Sequence, residues 1–404
     1  MKKMVKKVVS VALVAALAVG SMLSLASCGK KNYAKDNETI KIGVSGPLTG
    51  GAAKYGIAVK NSAQLAIDEI NAAGGLDGMK FELLALDDEH KKENVTTTYS
   101  AMYEDGMQIS LGTVTTAPGL EFKEFSHDDN VFVLTPSATG DGIVEYDNAY
   151  QMCFADSNQG TASAEFFNEN YNGKKVGVFY KSDDEYSKGI YDKFMAALDE
   201  SFGNVPTATF TGDNLDFSTQ VNMLSECEVI FLPIYTEPAA AFMKKGVGVI
   251  ADNAVYYGCD GLDGVEAEFG TMDEFMAIPQ EVSFLSHFNS KAESGPAYDF
   301  IQKYNAAYDE AKEPVNQFGA AAYDCVYAIY EALKFAKDEM GKEFDTTTSA
   351  SDFCDMLKEV FNSDDFVFHG ITGKCDGNNK SDISWDESGF VNKQADKYQV
   401  KPAN

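Results

Sequence analysis

The strongest constraint on the fold is an alternation of strand and helix patterns that runs along the chain twice. Apolar runs typical of buried strands occupy residues 40–44, 81–86, 131–134, 176–179, 229–232 and 255–257. Amphipathic helical patterns lie between them, and longer helices are predicted near residues 296–311 and 317–338. The pattern restarts at Gly173, after a first pass from about residue 40 to 155. This alternation predicts an α/β protein with two parallel sheets flanked by helices.

The first 27 residues have the pattern of a secretory signal. Four lysines precede an apolar run at residues 8–25, which ends in the tetrad Leu25-Ala-Ser-Cys28. The tetrad resembles the bacterial lipobox, in which the cysteine is lipidated and two or more acyl chains hold the protein at a membrane. We therefore predict a signal peptide at residues 1–27, and a lipidated Cys28 with a linker at residues 28–39. The alternative is an ordinary signal peptide with an incidental cysteine.

Charge restricts the partners of the chain. It has 33 basic and 62 acidic residues, a formal net charge of −29, and every basic residue is a lysine. Such an acidic chain repels nucleic acid, and its charge favours a monomer. Because arginine is the usual bidentate clamp for carboxylates, an anionic group bound here must be held by backbone N–H groups, hydroxyls or lysine.

Cysteine and histidine give no sign of a metal or a catalytic site. The cysteines other than Cys28 have neither zinc-ligand spacing nor a tight disulfide framework, and Cys325 lies in an apolar helical stripe typical of a buried thiol. We interpret the four scattered histidines, among them His90 and His287, as surface or structural residues. The sequence lacks the G-x-S-x-G and H-E-x-x-H motifs. We predict no metal, no cofactor and no enzymatic activity.

Several motifs resemble the leucine/isoleucine/valine-binding protein family, the type I periplasmic binding proteins. They occur in order along the mature chain at residues 40–50 (IKIGVSGPLTG), 53–56, 65–75 (LAIDEINAAGG), 87–88, 134–139, 216–218, 321–324 and 384–389. The resemblance implies two doubly wound parallel-sheet lobes, joined by a hinge of three crossovers, with the ligand in the cleft between them. On this template the first lobe covers residues 40–156 and about 283–385. The second covers about 157–282 and 386–404.

Three segments of the first lobe lie where such a ligand would bind. In open α/β sheets ligands bind beyond the carboxyl ends of strands, where the loops lead into helix N-termini, and residues 45–56, 112–118 and 135–139 have this setting. Free N–H groups at a helix N-terminus can hold a carboxylate. In the family the equivalents of Thr116, Ser137 and Thr139 hold the ligand's carboxylate and amino groups. The predicted first-lobe site residues are Tyr55, Thr115, Thr116, Ser137, Ala138 and Thr139; alternatively the hydroxyls are ordinary caps and turn residues.

The resemblance implies that the second lobe covers the ligand. Tyr186 matches a tyrosine that packs on the ligand, and Tyr235 is a further candidate. Asp260 aligns with the acid that meets the ligand's ammonium group, although branched-chain amino-acid binders usually have glutamate there. The alternative is a turn aspartate before Gly261. Phe318 matches an aromatic residue that lines the side-chain pocket from the first lobe.

These features predict a solute-binding protein of an ABC importer. The expected ligand is an α-amino acid with an apolar or branched side chain, and the expected partner is a membrane permease. The protein is expected outside the cytoplasm, lipid-anchored at the cell surface or in the periplasm. Two alternatives stay open: the same fold used as a sensory receptor, and a different ligand such as an amide or an aromatic acid.

Overall fold

The computed structural model describes residues 31–309, 313–373, 381–393 and 395–402. The predicted signal peptide, Cys28 and Cys375 lie outside these ranges. The helices, in chain order, are α1 (Ala53–Ala72), α2 (Val95–Glu104), α3 (Thr116–Asp129), α4 (Asp156–Asn170), α5 (Glu185–Ala197), α6 (Ser218–Met223), α7 (Thr236–Gly246), α8 (Met272–Ala277), α9 (Gly295–Ala307), α10 (Gln317–Asp338) and α11 (Ala350–Phe361).

The first lobe is built on a parallel sheet with the strand order β2-β1-β3-β4-β5. Its strands are β1 (Ile40–Gly46), β2 (Phe81–Asp87), β3 (Ile109–Thr113), β4 (Phe132–Thr135) and β5 (Ala149–Gln151). One face packs on α1, α9, α10 and α11, and the other packs on α2 and α3. This double coverage explains why β1 and β4 are nearly continuous apolar runs.

The second lobe repeats this topology. Its strands are β6 (Val176–Lys181), β7 (Thr207–Phe210), β8 (Val229–Leu232), β9 (Val255–Gly258) and β10 (Glu281–Ser286), in the parallel order β10-β9-β8-β6-β7. Helices α4 and α5 cover one face, and α6, α7 and α8 cover the other. The prediction of two doubly wound parallel-sheet lobes is confirmed. Strands β11 (Phe368–Gly370) and β12 (Ser381–Ile383) form an antiparallel ribbon, and β13 (Asp396–Lys401) pairs antiparallel with β10.

Over the described ranges the chain crosses between the lobes three times, and two of these crossings differ from the positions expected from the sequence. The first follows β5, near the predicted residue 156. The second crossing was expected near residue 283, but this residue lies inside β10. Because β10 pairs with β9 of the second lobe, the chain leaves that lobe only after Ser286. The third was expected at 386, but Val391 still packs in the first-lobe core, so the crossing lies between Val391 and β13.

A buried lysine holds the crossovers together. The Lys393 ammonium, on the third crossover, donates to the carbonyl of Met152 at 2.6 Å and to the Thr372 hydroxyl. Asp324 of α10 accepts hydrogen bonds from the Thr372 hydroxyl and from the backbone N–H of Ile371. Burial lowers the pKa of Lys393 to about 8, although the Asp324 charge raises it. The hinge is therefore fixed by a compact buried polar cluster.

The described cysteines are all free and buried, as expected for Cys325. They are Cys153, Cys227, Cys259, Cys325 and Cys354. Burial raises the pKa of each of these thiols, which makes them poor nucleophiles.

Candidate functional site

The two sheets turn their carboxyl ends toward each other, and the predicted site residues lie at this junction. In both sheets the strand order reverses beside the first strand, at β1/β3 and at β6/β8, which is where ligands bind in doubly wound folds. Of the ten predicted ligand residues, nine are buried and Tyr235 is partly buried. They are Tyr55, Thr115, Thr116, Ser137, Ala138, Thr139, Tyr186, Tyr235, Asp260 and Phe318. Five of them, Tyr55, Tyr186, Tyr235, Asp260 and Phe318, form one connected group of contacts between the lobes.

Aromatic rings from both lobes form one wall of the cleft. Tyr55 packs edge-on against Phe318 at 5.1 Å between ring centroids, and its ring is tilted by 53° against that of Tyr235 at 5.5 Å. Tyr235 stacks on Tyr186 at 4.7 Å. Because Tyr55 and Phe318 belong to the first lobe and the other two to the second, the wall is complete only when the lobes are together.

The Tyr55 hydroxyl bonds directly across the cleft. It donates to the carbonyl oxygen of Gly261 at 2.8 Å and accepts from the backbone N–H of Thr236 at 2.9 Å. Tyr55 lies in the first turn of α1, and a Cβ on the next residue, Gly56, would stand 2.0 Å from the carbonyl oxygen of Pro47. Only glycine allows α1 to pack this closely on the loop that follows β1.

Asp260 lies in a buried turn after β9, on the second-lobe side of the site. Its Oδ1 accepts from the Tyr186 hydroxyl at 2.7 Å and from the N–H of Gly261 at 2.8 Å. Its own N–H donates to the Gln159 side chain at 3.0 Å. Burial raises the pKa of Asp260 to about 6, against the lowering effect of these hydrogen bonds. A cation at this carboxylate would stabilise its ionised form.

The hydroxyls of the first lobe surround the N-terminus of α3. The Thr116 hydroxyl accepts from the N–H of Gly140 at 3.2 Å, which leaves its proton available to a ligand. The Ser137 hydroxyl instead donates to the carbonyl oxygen of Val114 at 2.7 Å, so its proton is used within the lobe. The first N–H groups of α3 have no partner within the helix, and they form an anion-binding end beside these hydroxyls.

Two polar residues at the start of α4 were not predicted. The N–H of Asp156 donates to the carbonyl oxygen of Thr139 at 2.8 Å, which joins the lobes at the first crossover. Among the described residues, Asp156 Oδ1 and Gln159 Nε2 are buried without a hydrogen-bond partner. Burial raises the pKa of Asp156 well above its usual range, against the lowering effect of the Thr139 hydroxyl. Nothing in the sequence signals that this helix start faces the cleft.

His90 and Asp184 also belong to the cleft, although the sequence suggested that His90 is a surface or structural residue. The Nδ1 atom of His90 is 2.9 Å from the Thr115 hydroxyl, and its Nε2 is 4.0 Å from Asp184 of the other lobe. The His90 ring contacts Tyr235 edge-on at 5.3 Å. Burial lowers the pKa of His90 to about 4 and raises that of Asp184 to about 6.

Beyond His90 and Asp184 the cleft widens into a cavity of about 570 Å³. Its wall includes Tyr235, Lys181 and Glu237, and it is open toward solvent. Over the described ranges, no group of three His, Cys, Asp or Glu side chains could hold a metal ion. No helix in the same ranges is both long and apolar enough to cross a membrane.

The chain is similar to known binding proteins over most of its length. The profile of the family described as periplasmic binding protein matches residues 39–378. The Leu/Ile/Val-binding protein BraC3 of Rhizobium johnstonii is 27% identical over 358 residues, which cover 87% of this chain and 93% of BraC3. The Leu/Ile/Val-binding protein homolog 3 of Brucella melitensis is 26% identical over 350 residues, which cover 82% of this chain and 93% of the homolog.

Solved structures show the same architecture. The leucine-binding protein LivK of Thermotoga maritima superposes with a TM-score of 0.74 at 23% identity, covering 91% of this chain and 97% of LivK. LivJ of Streptococcus pneumoniae is a branched-chain amino acid transporter substrate-binding protein that was solved in complex with isoleucine. It superposes with a TM-score of 0.70 at 26% identity, covering 90% of this chain and 100% of LivJ. The resemblance seen in the sequence is thereby confirmed. Two lobes around a buried polar cleft, and a family profile that spans both, show that this chain belongs to the periplasmic binding protein family.

Proposed function

We propose that the protein captures an α-amino acid in this cleft and delivers it to the permease of an ABC importer. One observation carries the proposal: a buried carboxylate faces the site from one lobe, and a helix N-terminus beside the available hydroxyl proton of Thr116 faces it from the other. The Asp260 side suits an ammonium group, and the α3 side, with Thr116, suits a carboxylate. An α-amino acid carries both groups on one carbon.

The aromatic wall supports a further expectation about the side chain. Tyr55, Tyr235 and Phe318 would pack on apolar carbons, as in the branched-chain amino acids that appear in the names of the relatives. Asp260 is one methylene shorter than the glutamate usual in such binders, so the ammonium group would sit closer to the second lobe. Ser137, with its proton already used, would contribute as an acceptor.

Capture depends on closure of the two lobes. Contacts such as the Lys54–Glu268 ion pair, and the bond from the N–H of Gln317 to Asp263 Oδ2 at 2.8 Å, join opposite lobes. A ligand that bridges the lobes shifts the population toward the closed form by its differential affinity for that form. In this role the protein is a receptor and not an enzyme, and it binds no cofactor.

The lipobox motif supports export and anchoring through Cys28, with the two lobes outside the cytoplasm as a monomer. A sensory receptor would use the same closure for a different partner. An aromatic acid is the second ligand class, because a related fold from Rhodopseudomonas palustris, with a TM-score of 0.71 at 16% identity, was solved with benzoate.

A thermal-shift screen of the ligand-stripped mature protein tests the proposal. The screen would contain the twenty amino acids, amides and aromatic acids. A ligand at about 100 times its Kd adds about 2.7 kcal/mol of stability, which raises Tm by several degrees. We expect shifts with amino acids that have aliphatic or aromatic side chains. A shift with an amide or aromatic acid alone would reject the amino-acid ligand.

A further inference from the structure

Three carboxylates are buried in the cleft, and the described residues provide no positive partner for them. Asp156, Asp184 and Asp260 are 3%, 7% and 3% exposed. In the described part of the chain no lysine forms an ion pair with any of the three, and the sequence contains no arginine. Buried carboxylates require a cation or several hydrogen bonds. The closed cleft is therefore complementary to positive charge.

The α-ammonium group of one bound amino acid would neutralise only part of this negative charge. Among the carboxylates whose charge acts on Asp156, Asp260 acts most strongly, ahead of Asp141 and Asp184. Asp156 presents a buried Oδ1 without a hydrogen-bond partner among the described residues. A single ammonium group placed against Asp260 can serve both carboxylates.

Asp184 lies at the other end of the aromatic wall. The contacts run from Asp260 to Tyr186, from Tyr186 to Tyr235, and from Tyr235 to His90, which faces Asp184. We call His90 and Asp184 the distal pole. Along this path the two tyrosine rings lie between Asp260 and the distal pole.

The distal pole keeps an acceptor atom directed at the cleft. Asp184 Oδ1 caps α5 through the N–H of Ser187 at 2.9 Å, whereas Oδ2 faces His90 Nε2 at 4.0 Å. The other ring nitrogen of His90 is engaged with Thr115. The charge of Lys181 acts on both Asp184 and His90, and its ammonium group lies 4.0 Å from the exposed Asp213.

Space for a long side chain begins at this point. The cavity of about 570 Å³ starts at His90, Asp184 and Tyr235, and it leads outward between the lobes. A side chain that follows the aromatic wall would cover the rings with its methylene groups and bring its end to Asp184. A short branched side chain would end at the rings and leave the distal pole without a partner.

We infer that the ligand is an α-amino acid whose aliphatic side chain ends in a cation that meets Asp184 and His90. This inference rests on the proposed function and goes beyond it. The aromatic wall can pack on the aliphatic part of either a branched-chain or a basic amino acid. Only a basic amino acid would place a positive charge at the distal pole, so the distal pole favours the basic side chain.

The test compares L-lysine with L-norleucine, which share the amino-acid group and the straight four-carbon stem and differ in the terminal ammonium group. Each is titrated by calorimetry into the wild-type protein and the Asp184→Asn variant. Asparagine caps helices as well as aspartate does, so α5 keeps its N-cap. We expect lysine to bind the wild type about tenfold more tightly than norleucine, or better. In Asp184→Asn this ratio should fall to near one, with norleucine affinity almost unchanged.

Asp199→Asn is the matched control, because it makes the same aspartate-to-asparagine change at the exposed N-cap of a short 3-10 helix, at a residue outside the wall of the cavity. It should leave the ratio as in the wild type. Norleucine or leucine binding without a preference for lysine would overturn the inference while the proposed function stands. So would a lysine preference that survives in Asp184→Asn. If no amino acid binds, the proposed function fails and the inference fails with it.

Discussion

Replacing Tyr55 with phenylalanine should weaken ligand binding without destabilising the ligand-free protein. The hydroxyl is buried between the lobes, where it pairs with the carbonyl oxygen of Gly261 and the N–H of Thr236. Both partners belong to the second lobe, so they are left unpaired only when the cleft is closed. In the open form water can reach them.

The expected loss follows from these two contacts. An unsatisfied buried donor or acceptor costs about 1–3 kcal/mol. Two such groups, with some access for water at the cleft edge, should cost about 2–4 kcal/mol in the closed state. This corresponds to a Kd about 30 to 1,000 times higher. Most of the change should appear in the dissociation rate, since the hydroxyl acts after the lobes have met.

The assay combines calorimetric titration, using the amino acid that gives the largest thermal shift, with urea unfolding of the ligand-free protein. Tyr256→Phe is the control, because the Tyr256 hydroxyl is buried inside the second lobe without a hydrogen-bond partner among the described residues. It should leave the Kd unchanged. An affinity loss below about threefold for Tyr55→Phe, or an equal loss of ligand-free stability, would refute the reasoning.

Two further predictions concern the charged groups. Because burial raises the pKa of Asp260 to about 6 and an ammonium partner would lower it, binding should release a proton below that pH. The Kd should rise roughly tenfold from pH 7 to pH 5, with a flatter calorimetric profile in Asp260→Asn. At the hinge, Lys393→Met leaves Asp324 buried without its counter-ion and should lower the free energy of unfolding by about 3–5 kcal/mol in urea titrations. The added Asp324→Asn change should restore part of that loss; no restoration would contradict the account in which the Lys393 charge stabilises the buried Asp324 carboxylate.

The sequence alone predicted the strands and helices whose pattern of apolar residues reflects how they are buried. Continuous apolar runs such as Val229–Leu232 predicted strands covered on both faces, and the structure confirms them. Strands β5 and β7 were missed because neither is a continuous apolar run: β5 has only 3 residues, and β7 alternates threonine with apolar residues. Strand β13 was missed because its pairing partner lies more than 100 residues away in β10, and the pairing does not appear in local sequence.

Residues at the cleft were found from the sequence where a motif marks the position, and they were missed where tertiary packing alone brings them there. Tyr55, Tyr186 and Asp260 follow strand ends within recognisable motifs, and the structure gathers them at the cleft. His90 reaches the cleft through a turn in which His90 and its neighbour Glu89 have φ near +60° and +54°, a backbone shape that no motif announced. No sequence motif marks Lys393, whose bond to Met152 places it at the hinge.

The central claim is that the cleft binds an α-amino acid with its ammonium group at Asp260. The most direct test is calorimetric titration of wild type and Asp260→Ala with leucine and with its deaminated analogue, 4-methylpentanoate. The account predicts that the wild type binds leucine about 10- to 100-fold more tightly than the analogue, and that Asp260→Ala loses most of this difference. Equal affinities for the two compounds in the wild type, or equal losses for both in the variant, would contradict it.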